Sequence, residues 1–157
     1  MKKMLIIAAV AFAIYACNSG EENSDNSNNT TSNVPSGKAG VDYDTARGKG
    51  KFTHVELEPT LNKELAAQGK QIYEVKCASC HKLNDEKLVG PGWAGVTKRN
   101  SPEWIMNFIT NVDEMLALDP KAQAQLEICL VRMPNQNLSD NDARSLLEFM
   151  RENDGVQ

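Results

Sequence analysis

Apolar residues recur at helical spacing in four stretches of the chain, each opened by a capping signal. The first helix is predicted from about Asn62 to Lys76. Asn62 caps it, and Leu65, Ile72 and Val75, with Gly69 and Tyr73, form a stripe expected to be buried. A glycine inside a helix costs about 1 kcal/mol relative to alanine, so Gly69 predicts a close helix crossing. A second helix opens at Ser101-Pro102-Glu103, with a hydroxyl cap, proline at the first helical position and an acid in the first turn. Trp104, Ile105, Phe108 and Val112 form its apolar face. Asp119-Pro120 opens a third, running to about Val131 with Ala122, Leu126, Cys129 and Leu130 inward. The last follows the capping-box pattern Ser139-Asp140-Asn141-Asp142, carries Ala143, Leu146, Leu147, Phe149 and Met150, and stops at Gly155.

Upstream of the helices the pattern changes. Residues 41–60 hold scattered apolar residues and are expected to lie extended on the folded domain, with Phe52, Val55 and Leu57 packing down and a short strand within reach. Asn18 to Gly40 is built from Asn, Ser, Thr, Gly and acids, and its first apolar residue is Val34, so it reads as a flexible tether. Before it, Met1-Lys2-Lys3 and the apolar run Met4–Ala16 read as a secretory signal, too short to span a bilayer comfortably. Ile14-Tyr15-Ala16-Cys17 resembles a bacterial lipobox, which makes Cys17 the expected lipidation site; ordinary cleavage or an uncleaved anchor is the alternative. The expected organisation is a signal peptide at 1–16, lipidated Cys17 and tether at 17–40, an extended segment at 41–60, and a folded domain at 61–157.

Within that domain one short stretch carries the chemistry. Cys77-Ala78-Ser79-Cys80-His81 places two thiols three positions apart with an imidazole directly after the second. Each thiol can add to a vinyl group of a porphyrin, and the adjacent histidine then serves as proximal ligand to the iron. A redox dithiol would call for alternating strands and helices, and zinc for a second ligand pair; the flanks supply neither. Cys129, on an apolar helical stretch, reads as a small buried core residue.

The loop after His81 contains Gly90-Pro91-Gly92-Trp93. Pro91 lacks an N–H, but its carbonyl can accept from the second nitrogen of His81, and Trp93 can wall the haem. The polar run Arg132-Met133-Pro134-Asn135 makes Met133 the favoured sixth ligand, with Met115 as the rival; Met106 and Met150 read as packing and His54 as a surface histidine.

Together the run from Gly69-Lys70 through Tyr73 to Cys80-His81, the Gly90-Pro91 loop, Arg99 and the Met133-Pro134 loop resemble a class I monohaem cytochrome c over roughly Leu61 to Asp154. The resemblance implies an all-α cytochrome c fold, with four to five helices around one covalent haem c and the N- and C-terminal helices crossing near Leu146 and Phe149. It implies Cys77 and Cys80 as attachment residues, His81 and Met133 as axial ligands, and Pro91, Trp93 and Arg99 in the haem pocket, Arg99 as a propionate partner. Residues 18–60 and 112–130 fall outside the family's common core, and no functional residue is carried onto either.

Charge refines the expected role. Without Lys2 and Lys3 the chain has 15 basic and 21 acidic side chains, a net charge of −6. Residues 68–99 are the locally basic part, with six basic groups against three acids, a pattern that can steer redox partners and does not suggest nucleic-acid binding. An iron with both axial positions filled has no place for a substrate. The chain is therefore expected to be an electron carrier rather than an enzyme: a monomeric, lipid-anchored cytochrome on the periplasmic side of a bacterial membrane. It would exchange single electrons transiently with a protein donor and acceptor. The lipobox and tether resemble lipoprotein cytochromes of diderm bacteria, some of which feed periplasmic reductases such as nitrous oxide reductase; a terminal oxidase is another such partner. A haem enzyme or gas sensor with an open sixth position, or a fixed subunit of a larger complex, are the alternatives.

Overall fold

The structure, a computed structural model, describes residues 43–157. The signal, Cys17 and tether assignments lie outside the described residues. Six helices occur among those described: α1 (Lys63–Lys76), α2 (Val96–Arg99), α3 (Pro102–Thr110), α4 (Val112–Leu118), α5 (Pro120–Cys129) and α6 (Asp140–Asn153). The only β pairing among them is an isolated bridge between His81 and Lys87. No helix of the described residues is long and apolar enough to cross a membrane.

Helix starts follow local chemistry. Asn62, Ser101, Asp119 and Ser139 each accept a backbone N–H from the first turn of α1, α3, α5 and α6, and Asp142 closes the capping box by accepting from the Ser139 amide at 3.0 Å. The frame is the crossing of α1 on α6. Gly69 meets the α6 backbone so closely that a Cβ there would lie 2.6 Å from the carbonyl carbon of Ser145 and 2.8 Å from Cβ of Phe149. Tyr73, one turn on, stacks obliquely on Phe149 and Trp93, with ring centroids 5.4 and 4.9 Å away.

Four expectations about the helices need correction. Val75 is 84% exposed, because the buried face of α1 runs through Ala66, Gly69 and Tyr73 and Val75 points away from it. Leu130 is 85% exposed: its φ of 59° ends α5 at Cys129, short of Val131. Cys129 is half-buried rather than a core residue. The second predicted helix breaks at Asn111, whose side chain donates to the Lys49 carbonyl (3.4 Å) and to Glu114 (2.6 Å), so Val112 starts a separate, previously unassigned helix. With α2, also unassigned, the count rises to six.

Residues 43–60 form no strand and run as a strap over α3, α4 and α6. Buried Asn107 receives the Phe52 amide and donates to the carbonyls of Arg47 and Phe52, each at 2.9 Å. The Tyr43 hydroxyl donates to Asp119 at 2.7 Å, and the Val55 amide donates to Glu103 at 2.8 Å. Phe52, Val55 and Leu57 pack against the core as expected. Arg151, held by the buried Glu148 carboxylate at 2.7 Å, donates to the Glu58 carbonyl at 2.6 Å, and the Leu61 amide reaches the carbonyl of Gln157.

Candidate haem site

The site begins where α1 ends. Cys77 is its C-cap, its amide still bonded to the Tyr73 carbonyl at 2.9 Å. The chain then turns so tightly that the amides of Cys80 and His81 both donate to the Cys77 carbonyl, at 3.0 and 2.9 Å. The two thiols and the imidazole are thus carried on one turn fixed to the end of a packed helix. The Tyr73 hydroxyl secures it from below by donating to the His81 carbonyl at 2.7 Å.

The following loop folds back beneath the imidazole. The Gly90 amide donates to the Cys80 carbonyl at 2.9 Å, and the Trp93 amide to the Lys82 carbonyl at 2.9 Å. This brings the Pro91 carbonyl 2.8 Å from Nδ1 of His81. An Nδ1–H donated there leaves Nε2 with its lone pair, the form a metal ligand needs. Burial lowers the His81 pKa and so favours the same neutral ring, against a smaller opposing effect of the Pro91 bond, which favours the protonated one. Burial also pushes the Cys77 thiol up to about 11. The C-terminal end of α6 holds the far side of the loop: Asn153 donates to the Leu83 carbonyl at 2.9 Å, and the Asp154 carboxylate accepts the amide and hydroxyl of Thr97 in α2 at 2.8 and 2.6 Å.

Above the turn lies a cavity of about 380 Å3. Cys77, Cys80, His81, Pro91 and Trp93 line it from one side, and Leu126, Cys129, Met133 and Leu138 are drawn from the segment after α4; Phe108, Leu146 and Met150 come from α3 and α6. Its walls are mainly apolar, and its ionisable groups are few. A flat apolar macrocycle with two thiol attachment points and an imidazole ligand suits this chemistry.

Sequence reasoning placed most of these residues and missed others. Met115 is not on the cavity wall: fully buried, its sulfur accepts the Lys49 amide at 3.0 Å. His54 is exposed, 3.1 Å from Glu56, and also off the wall. Arg99 is the expected propionate partner. It does not line the cavity; its guanidinium reaches the carbonyls of Ala94 and Gly92 and so secures the loop. Cys129 and Met150, read as packing, do line the cavity, as does exposed Val75. Helical periodicity sorts inward from outward, but cannot separate a face on the core from a face on a prosthetic group.

The comparisons agree with this geometry. The family model described as "Cytochrome c" matches residues 66–154. The chain belongs to the cytochrome c family. It is 33% identical to a cytochrome c from Rhodothermus marinus, with a TM-score of 0.65 over 67% of this chain and 90% of that one. An engineered form of that cytochrome, Rma TDE, is 32% identical with a TM-score of 0.64, over the same 67% and 90%. The same engineered protein bound to a carbene intermediate, 1-ethoxy-1-oxopropan-2-ylidene, is also 32% identical, with a TM-score of 0.61 and the same coverage. No curated protein matches the chain. This cytochrome therefore has the cytochrome c fold, carries covalent haem c and belongs to a family whose general role is electron transfer.

Proposed function

We propose that this cytochrome is a membrane-tethered, periplasmic one-electron carrier in which His81 and Met133 ligate the haem iron from opposite sides. The observation that carries this reading is that His81, its Nδ1 committed to Pro91, lines the same cavity as Met133, while Met115 and His54 are engaged elsewhere. Met133 sits on a segment without regular secondary structure, whereas Met150 lies buried within α6, packed among the helices. The haem supplies the one-electron couple. The chain fixes its ligands and keeps most of its surroundings apolar, and thioether ligation with apolar burial favours the ferrous state.

Exposed apolar side chains at the cavity rim, Val75 and the 54%-exposed Val131, with Lys76 and Arg132 beside them, suit brief contact with a redox protein through a small interface. Anchoring through Cys17, the tether and the periplasmic location rest on the N-terminal sequence, and a reductase or terminal oxidase is the class of acceptor this arrangement serves.

Met133→Ala decides the ligation. The variant is expected to keep its covalent haem, lose the methionine-to-ferric-iron absorbance band, show a lower midpoint potential and bind carbon monoxide in the ferrous state; Met150→Leu should change none of these. An unaltered band in Met133→Ala would overturn the assignment. One observation favours a second reading: the engineered relative is described as bound to a carbene intermediate. Ready binding of carbon monoxide by the unmodified cytochrome would place it with enzymes or sensors instead.

A further inference from the structure

The segment that carries Met133 has little of its own to hold it in place. Among the described residues, 131–138 neither donate nor accept a single backbone–backbone hydrogen bond. Two of its bonds are internal, from Gln136 to the Pro134 carbonyl and from the Asn137 amide to Asn135. Arg132 pairs with Asp113 of α4 at 2.5 Å. The two ties to the His81 side of the cavity are both lysines. The Lys76 ammonium, from the last turn of α1 beside the attachment turn, donates to the Gln136 carbonyl at 3.0 Å. The Lys87 ammonium, from the loop bridged to His81, donates to the Ile128 carbonyl at 3.0 Å, just before the segment begins.

We propose that Lys76 and Lys87 are positioning residues that clamp the Met133 segment to the His81 side of the cavity and so set how readily the sixth coordination position opens. This rests on the Met133 ligation proposed above. Ammonium donors suit the task because each reaches a backbone carbonyl whatever side chain that residue carries, and a charge-assisted bond is stronger than a neutral one. Both lysines are exposed, so each clamp can be removed without disturbing the core. The Gln136 carbonyl would otherwise face solvent on a segment with no ladder to join, and the Ile128 carbonyl belongs to the last turn of α5, where helix carbonyls lack a partner from the next turn.

The test compares the haem-loaded full chain with Lys76→Met, Lys87→Met, the double variant and the conservative Lys76→Arg/Lys87→Arg pair. In the double methionine variant, amide exchange over residues 131–138 and the rate of carbon monoxide binding to the ferrous protein should each rise, on the order of tenfold, as expected for losing two charge-assisted bonds. The methionine-to-iron band should disappear at lower denaturant concentration than in the wild type, while the helical unfolding midpoint stays nearly fixed. The arginine pair should restore the wild-type values. If the wild type shows the band and the double variant matches it in exchange, gas binding and band stability, the clamp is wrong and the ligation stands. If the wild type lacks the band, both the ligation and the clamp fall.

Discussion

At the scale of single residues, Gly90 shows how tightly the iron ligand is held. A Cβ there would lie 2.8 Å from Nδ1 and 2.9 Å from Nε2 of His81, so the loop passes beneath the ring only because position 90 has no side chain. Gly90→Ala is expected to push the ring off the Pro91 carbonyl and to destabilise the protein by about 1–3 kcal/mol. A less basic imidazole donates less to ferric iron, so the midpoint potential should rise in a redox titration. The bond from His81 to Pro91 was legible in the sequence because a ligating histidine needs an acceptor for its second nitrogen and the following loop offers one. Between Met133 and Met115 the polar run Arg132-Met133-Pro134-Asn135 favoured Met133 and left Met115 as the rival. The engagement of the Met115 sulfur by the Lys49 amide, a contact between residues 66 positions apart, has no local signal in the chain.

At the scale of elements, the α1–α6 crossing turns one glycine into a requirement. Gly69→Ala would force a methyl into the Ser145 carbonyl group, which cannot retreat without moving α6, and is expected to cost about 2–4 kcal/mol in denaturant unfolding, far more than the small gain in helix propensity returns. This crossing was foreseeable because a glycine between good helix formers demands a packing reason. Helix starts were equally legible, since Asn62, Ser101, Asp119 and Ser139 act through neighbours a few residues away. Helix ends set by distant partners were not. The break at Asn111 depends on Lys49, and α2 is fastened by Asp154 from the far end of the domain. The side that Val75 faces depends on where α6 lies, which the spacing of apolar residues along α1 leaves open.

At the scale of the whole molecule, the attachment motif announced the cofactor, and the path of the strap over the helices was the largest structural fact the sequence withheld. Its start is fixed by Tyr43. Burial, then the bond to Asp119, raises the Tyr43 pKa above that of an ordinary tyrosine, so the fold favours the protonated hydroxyl. This contribution is fully present below the unfolded value of about 10 and is lost as pH rises through the higher folded value. Tyr43→Phe should therefore lower stability by about 1 kcal/mol at neutral pH, and the gap from wild type should shrink above about pH 10 in urea titrations.

The strap also has a consequence in time. It leaves the ribosome first within the described domain, yet Glu103, Asn107, Asp119 and Arg151, to which it bonds, all come later in the chain. Closing loops of 48 to 93 residues before the helices have assembled would spend entropy with nothing to receive the strap. Its docking thus belongs to the late side of the folding barrier. Contacts formed there slow unfolding and leave the rate of folding almost untouched, so the strap acts on how long the native state lasts.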